Sequence, residues 1–415
     1  MRVLLVNTSE QAGGAAIAAV RLLRALNRNG VEAGLLVRDR LSDNPRVSAL
    51  PRSPLLRARF LMERLDVVLA NGLSRDNLFA IDPATRGTDI TQLPEFRRAD
   101  VVHLHWVNQG MLSLRGVRRI LATGKRVVWT LHDMWPFTGI CHHADACEGW
   151  LRGCGCCPLL RRPAAGDLSH RTFARKAGAY AAGRMAFVAC SDWLASLARR
   201  SPLLAGQQVE SIPNPLDTAL FSPGSREEAR RSLGLPQERR LILFVAYKVT
   251  DRFKGIDYLR QAVAMLVERE PAWRDRLGVV AVGREAALLK DSFDVPVYPQ
   301  EYVSDDEKTM VRYYRAADVL AMPTLRDNLP NTVAEAMACG LPCAAFRVGG
   351  LPQMIAHGTD GYLAGPQDAA SLAEGLRLLL GPSAGAFAAA AREKAVRAYS
   401  EQSVAARYAS VYRGE

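Results

Sequence analysis

The 415-residue chain has no apolar run approaching the roughly 18–20 residues that a membrane-spanning helix needs. Its opening "MRVLLV" is a poor secretory leader, because Asn7, Ser9, Glu10 and Gln11 break the apolar stretch at once. A cytoplasmic protein is the default expectation. No Gly-x-Gly-x-x-Gly follows the first apolar run, which counts against NAD binding. No repeat of solenoid length is visible, and no recognisable nucleic-acid module is present. Acidic residues are scarce in one half only: residues 1–220 hold 29 Lys and Arg against 18 Asp and Glu, whereas 221–415 hold 25 against 24. Nearly all of the +12 net charge therefore lies in the first half, which suits an anionic partner, either nucleic acid or a membrane surface with anionic lipids, or an unpartnered Arg-rich face.

What is present is ordinary globular composition, 49% hydrophobic and 23% charged, in a chain long enough for two cores. "RVLLVN", "EAGLLV", "DVVHLHW", "KRVVWTLH", "MAFVACS" and "VESIP" are short apolar runs, most of them separated by helix-sized segments. After a Pro- and Gly-containing joint, "NPLDTALFSPGS", the pattern restarts with "RRLILFVAY", "LGVVAVG", "DVPVYP", "ADVLAMPT", "LPCAAF" and "GYLA". Such alternation implies α/β architecture: two facing, Rossmann-like, doubly wound domains, over residues 1–220 and 221–392, with a last helix in 393–415 crossing back to the first. Ligands of such sheets sit at the carboxyl ends of the strands. An amphipathic segment, Leu55 to Ala70, with apolar residues at 55, 58, 61, 62, 65, 68 and 69, is expected to pack on the first domain; shallow membrane docking is the second reading.

"DNLPNTVAEAMACG" (Asp327 to Gly340) follows a strand and opens a helix at Asn331 and Thr332. Unpaired amides and the positive end of the helix dipole make such a start a phosphate site. Glu335, one turn in, is placed to accept hydrogen bonds from a ribose-like diol, and Asp327 lies in the loop before it. In "FVAYKVTDRFKGIDYL", Lys248 and Lys254 follow another strand and would neutralise a diphosphate leaving group. Diphosphate in the middle with hydroxyls at both ends describes a nucleotide sugar. No Asp-x-Asp is present, so a divalent metal is not required to hold the diphosphate.

"KVTDRFKG", "AADVLAMPT", "DNLPNTVAEAMACGLPC" and "GGLPQMI" together resemble the donor half of retaining glycosyltransferases of family 4, which have the GT-B fold. The likeness covers nearly the whole chain. It implies that Lys248, Lys254, Asp327 and Glu335 bind the nucleotide sugar, with backbone near Val303 meeting the base. It further implies that "SEQAGGAA" is the family's glycine-rich loop, where Gly13 and Gly14 let backbone approach donor phosphate or acceptor. His132, in "VVWTLHDMWPFTG", matches the active-site histidine and would contact the transferred sugar together with Asp327. The first acid of the motif is usually Glu and the first base usually Arg; Asp327 is a methylene shorter and Lys248 lacks bidentate geometry.

"CHHADACEGWLRGCGCCP" holds Cys141, Cys147, Cys154, Cys156 and Cys157. Its C-x5-C-x6-C-x2-C spacing suits tetrahedral zinc, while free or paired thiols and an iron–sulfur cluster remain open. The segment also resembles the colanic acid and exopolysaccharide branch of the family, in which Cys141, Cys147, Cys154 and Cys157 are the matching cysteines. Cys190, Cys339 and Cys343 read as core.

The resulting expectation is a hexosyltransferase of the cytoplasmic membrane's inner face. It would move a hexose or deoxyhexose from a UDP- or GDP-sugar to a saccharide hydroxyl, the acceptor being lipid-linked. No cofactor is required for catalysis, and zinc would be structural. Two alternatives are a non-catalytic nucleotide-sugar-binding subunit of a polysaccharide-assembly complex and a nucleic-acid binder.

Overall fold

The computed structural model describes residues 1–301 and 306–415 and divides into two compact units, Met1–Pro213 with Val404–Glu415, and Asn214–Ser403. Each is built on one sheet whose neighbouring strands all run parallel.

In the first unit the described strands are β1 (Arg2–Ser9), β2 (Glu32–Asp39), β3 (Val47–Ala49), β4 (Val101–Leu104), β5 (Arg126–Leu131), β6 (Ala186–Ala189) and β7 (Gln208–Ser211). Their order, β3-β2-β1-β4-β5-β6-β7, reverses direction between β1 and β4. Sheets covered on both faces need strands that are apolar throughout: β4 and β6 are buried at every residue, and β5 at all but its first. The helix Gly14–Arg28 buries Ala16, Ala19, Leu22, Leu23 and Leu26 on one stripe and is stopped by Gly30 at φ +81°. The last helix, Glu401–Arg413, contributes Val404, Ala405, Tyr408, Val411 and Tyr412 to the core formed with Val3, Leu5, Val128 and Val188. That burial, of order 1.5–3 kcal/mol per large side chain, makes the chain terminus part of the first unit's core.

The segment Pro54–Ala70 is helical but inverted relative to expectation. Its buried residues are Glu63, Arg64 and Val67, whereas Leu55, Leu61, Met62, Leu65 and Leu69 are each between 45% and 57% exposed. The reason is polar: Arg64 pairs with Asp82 at 2.8 Å and donates to the carbonyl of Leu78, which fixes the charged face inward. No helix among the described residues is long and apolar enough to cross a membrane.

The second unit contains β8 (Arg240–Lys248), β9 (Leu277–Arg284), β10 (Val297–Gln300), β11 (Val319–Met322), β12 (Cys343–Phe346) and β13 (Gly361–Ala364). They are ordered β10-β9-β8-β11-β12-β13, with the reversal between β8 and β11. Both sheets are thus doubly wound and Rossmann-like, as the run spacing implies. The crevice at a strand-order reversal is where such sheets take ligands.

Candidate active site

The carboxyl ends of β8 and β11 flank the reversal in the second unit, and the chain leaving each carries the charged residues singled out above. A bulge between Val245 and Lys248 ends β8, and the turn that follows is stitched to the loop after β11. Leu325 N and Thr324 Oγ1 both donate to the carbonyl of Phe253, at 2.8 and 3.0 Å. Gly255, at φ +75°, lets this happen: a Cβ there would stand 1.9 Å from the carbonyl oxygen of Pro323. The result places Lys254 Nζ 2.9 Å from Asp327 Oδ2, with the two side chains 31% and 20% exposed. Gly349, at φ +52°, brings the loop after β12 against the same point, where a Cβ would lie 1.8 Å from the carbonyl oxygen of Asp327.

Asn331 and Thr332 are half-buried at the start of the helix Asn331–Ala338, which no side chain caps and whose first turn holds no acid. Asn214 Nδ2 donates to Asn331 Oδ1 at 3.0 Å, orienting it. Glu335 is buried, 6% exposed, and Tyr314 donates its hydroxyl proton to Oε2 at 2.6 Å. Lys248 is half exposed and pairs with Glu285 at 2.9 Å, not with Asp327. Glu285, at φ +66°, also accepts from Thr250; these hydrogen bonds hold its carboxyl below the ordinary range. Tyr314 and Glu285 were not foreseen, since each comes from an element distant in sequence. Val303 lies outside the described residues.

In the first unit, Gly13 (φ +88°) and Gly14 are exposed with open space where a Cβ would go, and Ser9 Oγ fastens the loop by accepting from the amides of Gln11 and Ala12. His132 follows β5 and is half-buried. Its Nε2 lies 3.0 Å from Nδ1 of His105, and its Nδ1 lies 3.6 Å from Cys190 Sγ. Burial lowers the His132 pKa to about 4, against the pull of Asp133, so the ring is neutral. His105 lies in turn against His103, the two rings tilted by 34° with centroids 4.3 Å apart. Burial brings the His103 pKa to about 3, with the nearby His132 acting in the same direction. The ring nitrogens of His103 meet Tyr412 Oη at 2.8 Å and Thr130 Oγ1 at 2.7 Å. Buried His105 Nε2 finds no partner among the described residues. The alternation in "DVVHLHW" was the available signal for this column.

Asp133 is the polar anchor beside it. Burial opposes its charge, but His142 at 2.7 Å and the Trp135 amide at 2.8 Å hold it ionised, with a pKa of about 2. Cys141, Cys147, Cys154 and Cys157 line a single cavity of about 20 Å³, while Cys156 is exposed. Cys190, Cys339 and Cys343 are buried, as expected of core residues.

Comparison with known proteins places the chain in a family. Residues 239–381 match the model described as "Glycosyl transferases group 1". The D-inositol 3-phosphate glycosyltransferase of Nocardiopsis dassonvillei is 38% identical over 166 residues, a match spanning 38% of either chain. The protein of that name from Saccharomonospora viridis is 27% identical over 95% of this chain and 89% of its own. Anabaena HepE in complex with UDP-glucose shares the fold at TM-score 0.64 and 15% identity, over 100% of both chains. Residues 12–220, half of the chain, match the model described as "Glycosyltransferase Family 4", and the chain belongs to that family.

Proposed function

We propose that the protein is a retaining glycosyltransferase that moves a hexose or deoxyhexose from a UDP- or GDP-sugar to a saccharide hydroxyl during exopolysaccharide or cell-surface polysaccharide assembly. The observation that carries this reading is the Lys254–Asp327 pair at the strand-order reversal, on the loop that leads into the uncapped helix Asn331–Ala338. Lys254 and the helix amides neutralise the diphosphate, and Lys248 joins them on leaving Glu285. Charge develops on the diphosphate as its bond to the anomeric carbon breaks, so these groups act where stabilisation lowers the barrier. Glu335, held by Tyr314, takes the ribose and Asp327 the sugar, and on the first unit His132 is, by the family resemblance, the sugar-contacting histidine. The glycine loop at Gly13 and Gly14 approaches donor phosphate or acceptor.

The comparisons support a nucleotide sugar in general terms: HepE is seen with UDP-glucose, and the curated relatives are named for transfer to an inositol phosphate. The exopolysaccharide assignment rests on the likeness of "TLHDMWPFTGICHH" and the cysteines after it to that branch. A lipid-linked acceptor at an anionic membrane is supported by the exposed Leu55, Leu61, Leu65 and Leu69 and the exposed Arg52, Arg57 and Arg75 around them.

The test is release of UDP or GDP from a panel of nucleotide sugars, with and without a membrane lipid extract as acceptor. Acceptor-dependent release with one donor supports the proposal. Binding of a donor with no release under any acceptor would favour the non-catalytic subunit instead.

A further inference from the structure

The cysteine-rich segment between β5 and β6 carries none of the residues assigned to the donor, yet its backbone is unusually constrained. Gly153, Cys154, Gly155 and Cys156 have φ of +96°, +58°, +112° and +48°, four left-handed residues in a row. Left-handed backbone costs a non-glycine residue of order 1 kcal/mol or more and persists where the surroundings require it. At Gly155 a Cβ would stand 2.6 Å from the carbonyl oxygen of Ala165, so the loop is folded tightly on itself.

This folding turns four thiols toward one cavity. Cys141, Cys147, Cys154 and Cys157 line it with Trp150 and Ser169, and its volume of about 20 Å³ suits a single ion or water. An amide hydrogen points at one of the sulfurs. Gly149 N donates to Cys147 Sγ at 3.4 Å, two residues on in sequence. Such a donor favours thiolate over thiol, while burial pushes the thiols of Cys141, Cys154 and Cys157 up.

A second observation concerns charge. Lys176 is completely buried, its ammonium donating to the carbonyls of Trp135 and Thr138 (3.0 Å for the latter) and lying 3.5 Å from the centre of the Trp135 ring. No carboxylate among the described residues pairs with it, burial lowers its pKa to about 7, and Thr138, whose carbonyl it meets, donates its own hydroxyl to the carbonyl of Cys141 at 2.6 Å. A buried cation without a counter-charge is costly. Four thiolates around a divalent ion carry a net charge of −2, which supplies one.

We infer that Cys141, Cys147, Cys154 and Cys157 bind one structural zinc ion, with Lys176 as its buried counter-charge. Sulfur-only ligands select a soft tetrahedral ion, and four protein ligands make the site closed. As thiols the four line one cavity without yet closing on a common point: no three His, Cys, Asp or Glu side chains among the described residues already form a metal-holding group. Zinc displaces four protons and draws the sulfurs in across the cavity. The ion would pin the segment that carries His142, and through it Asp133, next to His132.

The test is metal analysis of the full chain, purified without chelator or metal-affinity steps, beside Cys147→Ser, Cys154→Ser and the control Cys156→Ser. The expected result is one zinc per wild-type and Cys156→Ser chain. Cobalt exchange should give a sulfur-to-cobalt charge-transfer band with the visible bands of tetrahedral cobalt, and both should be lost in the other two variants. Should those variants not fold, zinc content and cobalt spectrum of the wild type and Cys156→Ser still decide. Eight titratable thiols with no metal before or after zinc addition would overturn the inference, as would a disulfide among the four, or iron with acid-labile sulfide.

Discussion

Lys254 and Asp327, 73 residues apart in sequence, meet at 2.9 Å at the carboxyl ends of β8 and β11. The pair is partly open to solvent, 31% and 20% exposed. An ion pair in that setting contributes roughly 0–1 kcal/mol to folding, and much of that is screened by salt. Lys254→Ala and Asp327→Asn are therefore each expected to change the free energy of urea unfolding only slightly, by less than about 1 kcal/mol. A loss of several kcal/mol would mean that the pair is a structural strut and not a ligand site.

Tyr314→Phe removes the hydroxyl that donates to buried Glu335 while keeping the ring in place. A hydrogen bond to a charged group contributes about 1.5–3 kcal/mol. The variant should lose about that much stability and bind UDP or GDP more weakly, because Glu335 is no longer oriented. Chemical denaturation and calorimetric titration check the two effects separately.

Gly349→Ala forces a Cβ toward the Asp327 carbonyl oxygen at a backbone φ of +52°. The carbonyl belongs to the main chain, so the loop itself must shift. We expect a loss of about 1–3 kcal/mol and a more than tenfold weaker nucleotide affinity. Gly124→Ala, also at positive φ but with open space around it, should cost stability without changing affinity.

Acid should weaken the first unit through its histidine column. His103 and His132 are held neutral when folded, at about 3 and about 4, against about 6.5 in an unfolded chain. Between those values the unfolded state binds more protons, so their contribution is fully present above about pH 6.5 and is lost as pH falls toward 4 and below. Urea midpoints at pH 7.5, 5.5 and 4.5 should fall in that order, and His103→Gln should flatten the slope. A midpoint independent of pH over this range contradicts the neutral column.

Much of the fold was legible because parallel strands buried on both faces must be continuous apolar runs, and all six runs of the second unit became β8 to β13. β3 escaped notice because Val-Ser-Ala is too short to show a pattern. The helix Pro54–Ala70 was read with the wrong face inward, since periodicity locates a stripe but not the ion pair, Arg64–Asp82, that decides which stripe is buried. In the site, Lys254 and Asp327 were visible as motif residues. Glu285 and Tyr314 were not, because nothing local ties them to Lys248 or Glu335; only the sheet order and helix packing bring them there.

The most direct test of the donor cradle is calorimetric titration of the wild-type chain and Lys254→Ala with UDP and GDP, supported by thermal unfolding. A nucleotide at about 100-fold over its dissociation constant should stabilise the wild type by roughly 2.7 kcal/mol. Removal of one charge-assisted contact should weaken binding by about 10- to 100-fold. Binding of one nucleotide by the wild type, with that loss in the variant, is the predicted result. Equal affinity in the two proteins, or no binding of either nucleotide, would contradict the assignment of Lys254 and Asp327 to a nucleotide-sugar site.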